Sequence, residues 1–183
     1  MIQTLRLSST VAALMLGTVT FAANPDVGGA PMFTDKNIVE NAVNSADHTT
    51  LVAAVKAAGL VDALMGEGPF TVFAPVNDAF AALPDGTVET LLKPENKSTL
   101  TKVLTAHVIA GKLSGQELMS KARASADGFF HLDTLSGDAL SAQVKSGVLY
   151  VYDESGNAGR VTIADVNQSN GVIHVVDTVL LPK

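Results

Sequence analysis

This sequence predicts an α+β fold with a mainly antiparallel β-sheet, on three observations. Helical spacing of apolar residues dominates before position 123, and strand-like runs dominate after position 128. The turns between those runs are also too short for the helical crossovers that parallel strands need, which makes the sheet mainly antiparallel.

The elements follow in chain order. Residues 1–22 carry one cation, Arg6, and an uncharged apolar stretch beginning at Val11 that ends in small residues. This is the layout of a secretory signal peptide, cut after Ala22 or Ala23. A membrane-spanning helix needs about 20 apolar residues, and Ser8, Ser9 and Thr10 leave this stretch too short. Residues 23–34, rich in Gly and Pro and without periodicity, read as a flexible leader. One domain then fills residues 35–183.

Within it, Ile38, Val39, Ala42 and Val43 keep helical spacing. Leu51, Val52 and Val55 repeat that spacing, with Asp47 as the expected N-cap and Gly59 as the stop. A short helical turn spans 60–65 and ends at Gly66-Glu67-Gly68-Pro69. Residues 70–74 are β-rich and stop at Pro75, after which Asn77 is placed to cap a helix carrying Ala79, Phe80 and Leu83. Helices at 87–92 and 98–106 are separated by Lys93-Pro94-Glu95-Asn96, because proline disfavours helix at the residue before it. His107-Val108-Ile109 turns extended, and a last helix covers 116–122. Strands follow at 129–135, 140–145, 148–152, 160–166 and 172–181, with Gly-containing or Asn-containing turns between them. The last run is apolar on both faces except at His174, Asp177 and Thr178, as expected of a central strand.

Composition limits the function. With 47% hydrophobic and 16% charged residues, the chain can build a core and is not disordered. Twelve Lys and Arg against 18 Asp and Glu, a net charge of −6, argue against nucleic acid and anionic membrane as partners. The absence of cysteine removes disulfides, thiolate metal sites and a Cys nucleophile.

Motifs for chemistry are lacking. The histidines at 48, 107, 131 and 174 show no HxH or HExxH spacing, so no metal site is assigned. The segment from Asp165 begins like a calcium loop, but Asn170 stands at its sixth position and Val176 at its twelfth, so it reads as a polar turn. Gly66-Glu67-Gly68-Pro69 leads into a strand, the reverse of a phosphate loop. There is no G-x-S-x-G elbow, and no catalytic or cofactor-binding residue is assigned. Asn96 and Asn167 lie in glycosylation sequons, which matter only in a eukaryotic secretory pathway.

Three segments, in this order and spacing, resemble a single fasciclin (FAS1) domain. They are Gly68-Pro69-Phe70-Thr71-Val72-Phe73-Ala74-Pro75-Val76-Asn77-Asp78-Ala79-Phe80, Leu104-Thr105-Ala106-His107-Val108-Ile109-Ala110-Gly111, and the closing segment from Asn170 to Pro182. The resemblance runs from about Asp35 to the end and implies a wedge-like sheet with an N-terminal helical layer. It further implies a non-catalytic exported protein, secreted or periplasmic, that serves adhesion and protein contacts. Ala106 stands where the family usually carries a tyrosine before the histidine, so the resemblance does not extend to adhesion through that aromatic.

The residues singled out are His107, Asn77, Asp78, Tyr150 and Tyr152. His107 lies where a helix passes into a strand and is expected to be structural, bonding the capping region near Asn77 or Asp78. Tyr150 and Tyr152 share one strand face, which core packing explains better than a contact surface. With seven Phe, two Tyr and no Trp, an aromatic platform for carbohydrate is not expected. The function read from the sequence is an adhesion or interaction module for a protein or cell-surface polymer, open to weak homo-oligomerisation. The alternative is a periplasmic carrier of a small apolar ligand or lipid in a cleft between helices and sheet.

Overall fold

In the computed structural model, which describes residues 24–183, the first helix opens on a reciprocal cap. The expected signal peptide lies outside the described residues. Asn37 Oδ1 accepts from Glu40 N and Glu40 Oε2 accepts from Asn37 N, both at 2.9 Å, starting α1 (Ile38–Ala42). A 3₁₀ turn (Ala46–His48) leads into α2 (Thr49–Ala58), which ends at Gly59 in the left-handed region with φ 72°. Then come α3 (Val61–Leu64), β1 (Phe70–Pro75), α4 (Asn77–Ala81), α5 (Thr87–Leu91), α6 (Lys97–Thr105), β2 (Val108–Ala110) and α7 (Gly115–Ala124). The chain closes with β3 (Phe129–Asp133), β4 (Ala139–Lys145), β5 (Val148–Tyr152), β6 (Ala158–Gln168) and β7 (Gly171–Val176).

The strands form one sheet in the order β2-β1-β7-β6-β5-β4-β3. Every pairing is antiparallel except β1 with β7, which run parallel from Phe70 opposite Gly171 to Pro75 opposite Val176. The α+β reading with a mainly antiparallel sheet therefore holds, and the whole stretch between β1 and β7 serves as the crossover. Leu135 N, just beyond β3, donates to Val108 O of β2 at 2.8 Å, so the two sheet edges meet at that point.

Strands β1 and β7 bury both faces. Val72, Ala74, Ile173 and Val175 pack under α1, α2 and α6, while Phe73 and Val176 join a second cluster with Leu118 of α7 and Leu132, Leu140 and Val151 of β3 to β5. Two apolar layers thus flank the central pair, which explains why these strands read as near-continuous apolar runs.

Four expectations are corrected. The leader is not a loose tail: Val27 and Met32 are buried in the main core, and Asn41 holds both the amide and the carbonyl of Phe33. Asn24 likewise accepts from Asn167 N at 3.0 Å and donates to Asn167 O. Gly and Pro signal irregular backbone, but burial follows the apolar side chains that backbone carries, here Val27 and Met32. Second, only Ser169 and Asn170 of the segment from Asp165 form the turn, and residues 165–168 extend β6 beyond a bulge at which Asp165 takes φ 60°. Third, the last strand ends at Val176, beyond which Val179 and Leu180 fold back as buried coil.

The fourth concerns helix caps. Asp47 does not cap α2, and Asn77 makes no side-chain cap to its own helix. Asn77 Oδ1 instead accepts from Thr50 N at 3.0 Å and Thr49 Oγ1 at 3.1 Å, and its Nδ2 donates to Ala46 O at 2.8 Å. It satisfies the amino terminus of α2, a helix 27 residues earlier in the chain.

Candidate functional site

Among the residues the sequence singles out, His107 is buried, and both of its ring nitrogens are bonded. Its Nδ1 donates to Val103 O at 2.8 Å, one turn back on α6, and its Nε2 accepts from Leu180 N at 2.9 Å. It does not reach Asn77 or Asp78, and Asp78 is exposed in the first turn of α4. The imidazole locks the C-terminal coil to α6, and next to it Leu181 N donates to Asp153 Oδ2 at 2.9 Å. Burial lowers the His107 pKa to about 4. Replacing it in His107→Ala leaves the Leu180 amide and the Val103 carbonyl without a partner. A stability loss of about 1 to 3 kcal/mol is expected in chemical denaturation, and an unchanged midpoint would refute the structural role.

His174 is fully buried in β7, donating from Nε2 to Leu113 O at 2.9 Å and accepting at Nδ1 from Asp165 N at 3.3 Å. Since His107 and His174 spend both nitrogens on the backbone, neither is free to move a proton to a substrate. Among the described residues, no group of three or more His, Asp or Glu is gathered to hold a metal ion.

Tyr150 and Tyr152 depart from expectation. On β5 the buried residues are Leu149 and Val151, and the tyrosines lie half-buried on the opposite, outward face. Cross-strand pairing surrounds them with Gln143 and Ser141 of β4 and Arg160 and Ala158 of β6. Phe129 sets its ring edge-on to Tyr152 with centroids 5.7 Å apart, and Lys145 Nζ lies 5.0 Å from the Tyr152 ring centre. Gln143 Oε1, in the same patch, is buried and accepts no hydrogen bond. A sheet covered by α7 on one side leaves this opposite side for aromatic and polar groups. The period-2 alternation was readable in the sequence, but which phase faced the core was not.

The cleft between helices and sheet, expected from the sequence only as the carrier alternative and without named walls, is present as a cavity of about 150 Å³. Ile38, Val55, Leu64, Phe70, Leu104 and Val108 are among the residues that form its walls. Apolar atoms make nearly all of its surface, and among the described residues the single charged side chain at its wall is the exposed Lys56. Aliphatic walls around a space of about this size keep it dry and open to a hydrocarbon guest of roughly benzene size. The periodic apolar residues of α1 and α2 were legible as core, but a void among them is a property of side-chain fit that spacing does not encode.

No helix among the described residues is long and apolar enough to cross a membrane. The fasciclin domain family model matches residues 46–182. The chain is 54% identical over 145 residues to protein sll1483 of Synechocystis, covering 79% of this chain and 73% of that one. It is 32% identical over 173 residues to the immunogenic protein MPT70 of Mycobacterium tuberculosis, covering 91% and 80%. Among solved structures, it superposes with a TM-score of 0.72 and 18% identity on a FAS1 domain pair from the insect cell adhesion molecule fasciclin I, covering 81% of this chain and 51% of that one. With the family model matched over most of its length and the sheet and helical layer in place, this chain belongs to the fasciclin domain family.

Proposed function

We propose that this protein is an exported, non-catalytic binding module, secreted or periplasmic, that meets a protein or cell-surface partner through the outer face of β3 to β6. The observation that carries this reading is the patch around Tyr150 and Tyr152. Both tyrosines of the chain are on it, with Phe129, Arg160 and an unpaired Gln143 oxygen beside them. Tyrosine and arginine suit contact surfaces because each combines a large apolar body with a polar end. A patch of this kind on an outer sheet face adds nothing to either core cluster. The double variant Tyr150→Ser/Tyr152→Ser is expected to melt within a few degrees of the native protein. It should lose at least tenfold in affinity for the partner that the native protein retains from its envelope fraction. Retention of the same partner at the same strength would remove this face from the contact.

The apolar cavity favours a second reading, a carrier of a small apolar ligand. Native mass spectrometry after gentle purification separates the two, because a carrier arrives with a stoichiometric guest and an adhesion module does not.

A further inference from the structure

We infer that the cavity under α1 and α2 takes the hydrocarbon tail of a small anionic amphiphile, a short-chain carboxylate, whose head group is met by Lys56 at the rim. The inference deepens the carrier reading and rests on it. The walls define the tail: nearly every atom facing the void is apolar, so a polar ligand would lose its water without gaining partners. The rim defines the head. Lys56 contributes its stem to the wall and is exposed, so the aliphatic carbons can cover a bound chain while the ammonium stays in water.

Three further observations select a negative head. Among the described residues, no acidic one lines the cavity. Among the described residues the ion pairs are Lys102 with Asp138, Lys121 with Glu117 and His131 with Asp127, and Lys56 enters none of them. A second ammonium, from the start of α6, stands close by in space: Lys97 Nζ would lie 3.2 Å from a Cβ on Gly59, next to the wall residue Leu60. On a chain with net charge −6, two ammonium groups at this end of α2 with no carboxylate paired to Lys56 form a local positive rim. An alcohol or a quaternary amine of the same chain length would gain the walls but not the rim.

The test is calorimetric titration of the purified, lipid-stripped protein with hexanoate, hexanol and hexyltrimethylammonium, whose tails are close to benzene in volume. Hexanoate is expected to bind one to one and about fivefold more tightly than hexanol, the scale of an exposed ion pair, with the amine weakest. In Lys56→Gln, hexanoate should fall to the level of hexanol while hexanol itself is unchanged. Filling the void in Val52→Phe should weaken all three. If that variant melts early, perturbation of the Leu51 and Val55 methyl resonances of the native protein by hexanoate reports the location instead. Equal binding of hexanoate and hexanol to the native protein would overturn the head-group assignment and leave the carrier reading standing. No binding by any of the three would overturn the carrier reading with it, and methyl shifts confined to other residues would place the tail elsewhere.

Discussion

Replacing Asn170 by alanine is expected to cost about 3 kcal/mol of stability, a large share of what a domain of this size holds. This side chain sits at the tip between β6 and β7 and is buried. Its Oδ1 accepts from Ile38 N at 3.0 Å, the first amide of α1, while its Nδ2 donates to Leu64 O and Gly66 O, both at 2.8 Å. One amide therefore joins the start of α1, the end of α3 and the β6 to β7 turn, and its own carbonyl receives Phe70 N at 3.0 Å. In Asn170→Ala three backbone groups lose their partner, each worth about 1 kcal/mol or more when water cannot replace it. Asn170→Asp keeps the acceptor for Ile38 N but turns a buried carboxylate oxygen toward the Leu64 and Gly66 carbonyls, so it should be no more stable than alanine. Urea denaturation ranks the three, and an alanine variant as stable as the native protein would show that the junction is held by something else. The neighbouring Gly171 has no room to vary, since a Cβ there would lie 2.1 Å from Phe70 O across the parallel pair.

Acid is expected to unfold the protein through its buried histidines. His107, His48 and His174 all have their pKa lowered, in each case chiefly by burial, and His107 falls from 6.5 to about 4. A lowered pKa means that the fold prefers the neutral ring, so the stabilisation is present above the unfolded value and is lost as pH drops through the folded one. The bonding makes the cause concrete: the His107 Nε2 that accepts from Leu180 N would carry a proton of its own and face that amide donor to donor. For His107 the loss between pH 6.5 and 4 is about 3 kcal/mol, with the other two rings adding in the same direction. Denaturation midpoints should hold steady above neutrality and decline through this window. The slope should shrink in His107→Gln, which cannot take up a proton. A flat profile from pH 7 to pH 4 would contradict the account.

Much of the architecture was legible because it rests on local rules. The Gly59 stop needs only a residue at ease with positive φ, and the central position of β7 shows in a run that is apolar on both faces. The turn residues between β3 and β7 announced hairpins and therefore an antiparallel sheet. The candidate site was far less legible. Asn77 looks like the cap of the helix it begins, yet it serves a helix that only the tertiary fold brings alongside. Tyr150 and Tyr152 were seen to share a face, but the choice between core and surface depends on where α7 packs.

What the amino-acid order determined by itself is the set of elements, their sequence along the chain and the family to which they belong, because capping, periodicity and turn preference act over a few residues. The parallel pairing of β1 with β7, the bonds that His107 and Asn170 make and the void beside Lys56 were decided only by the assembled structure. Each of these depends on groups far apart in the chain meeting in space, and a side chain's partner there is set by the shape left between packed layers.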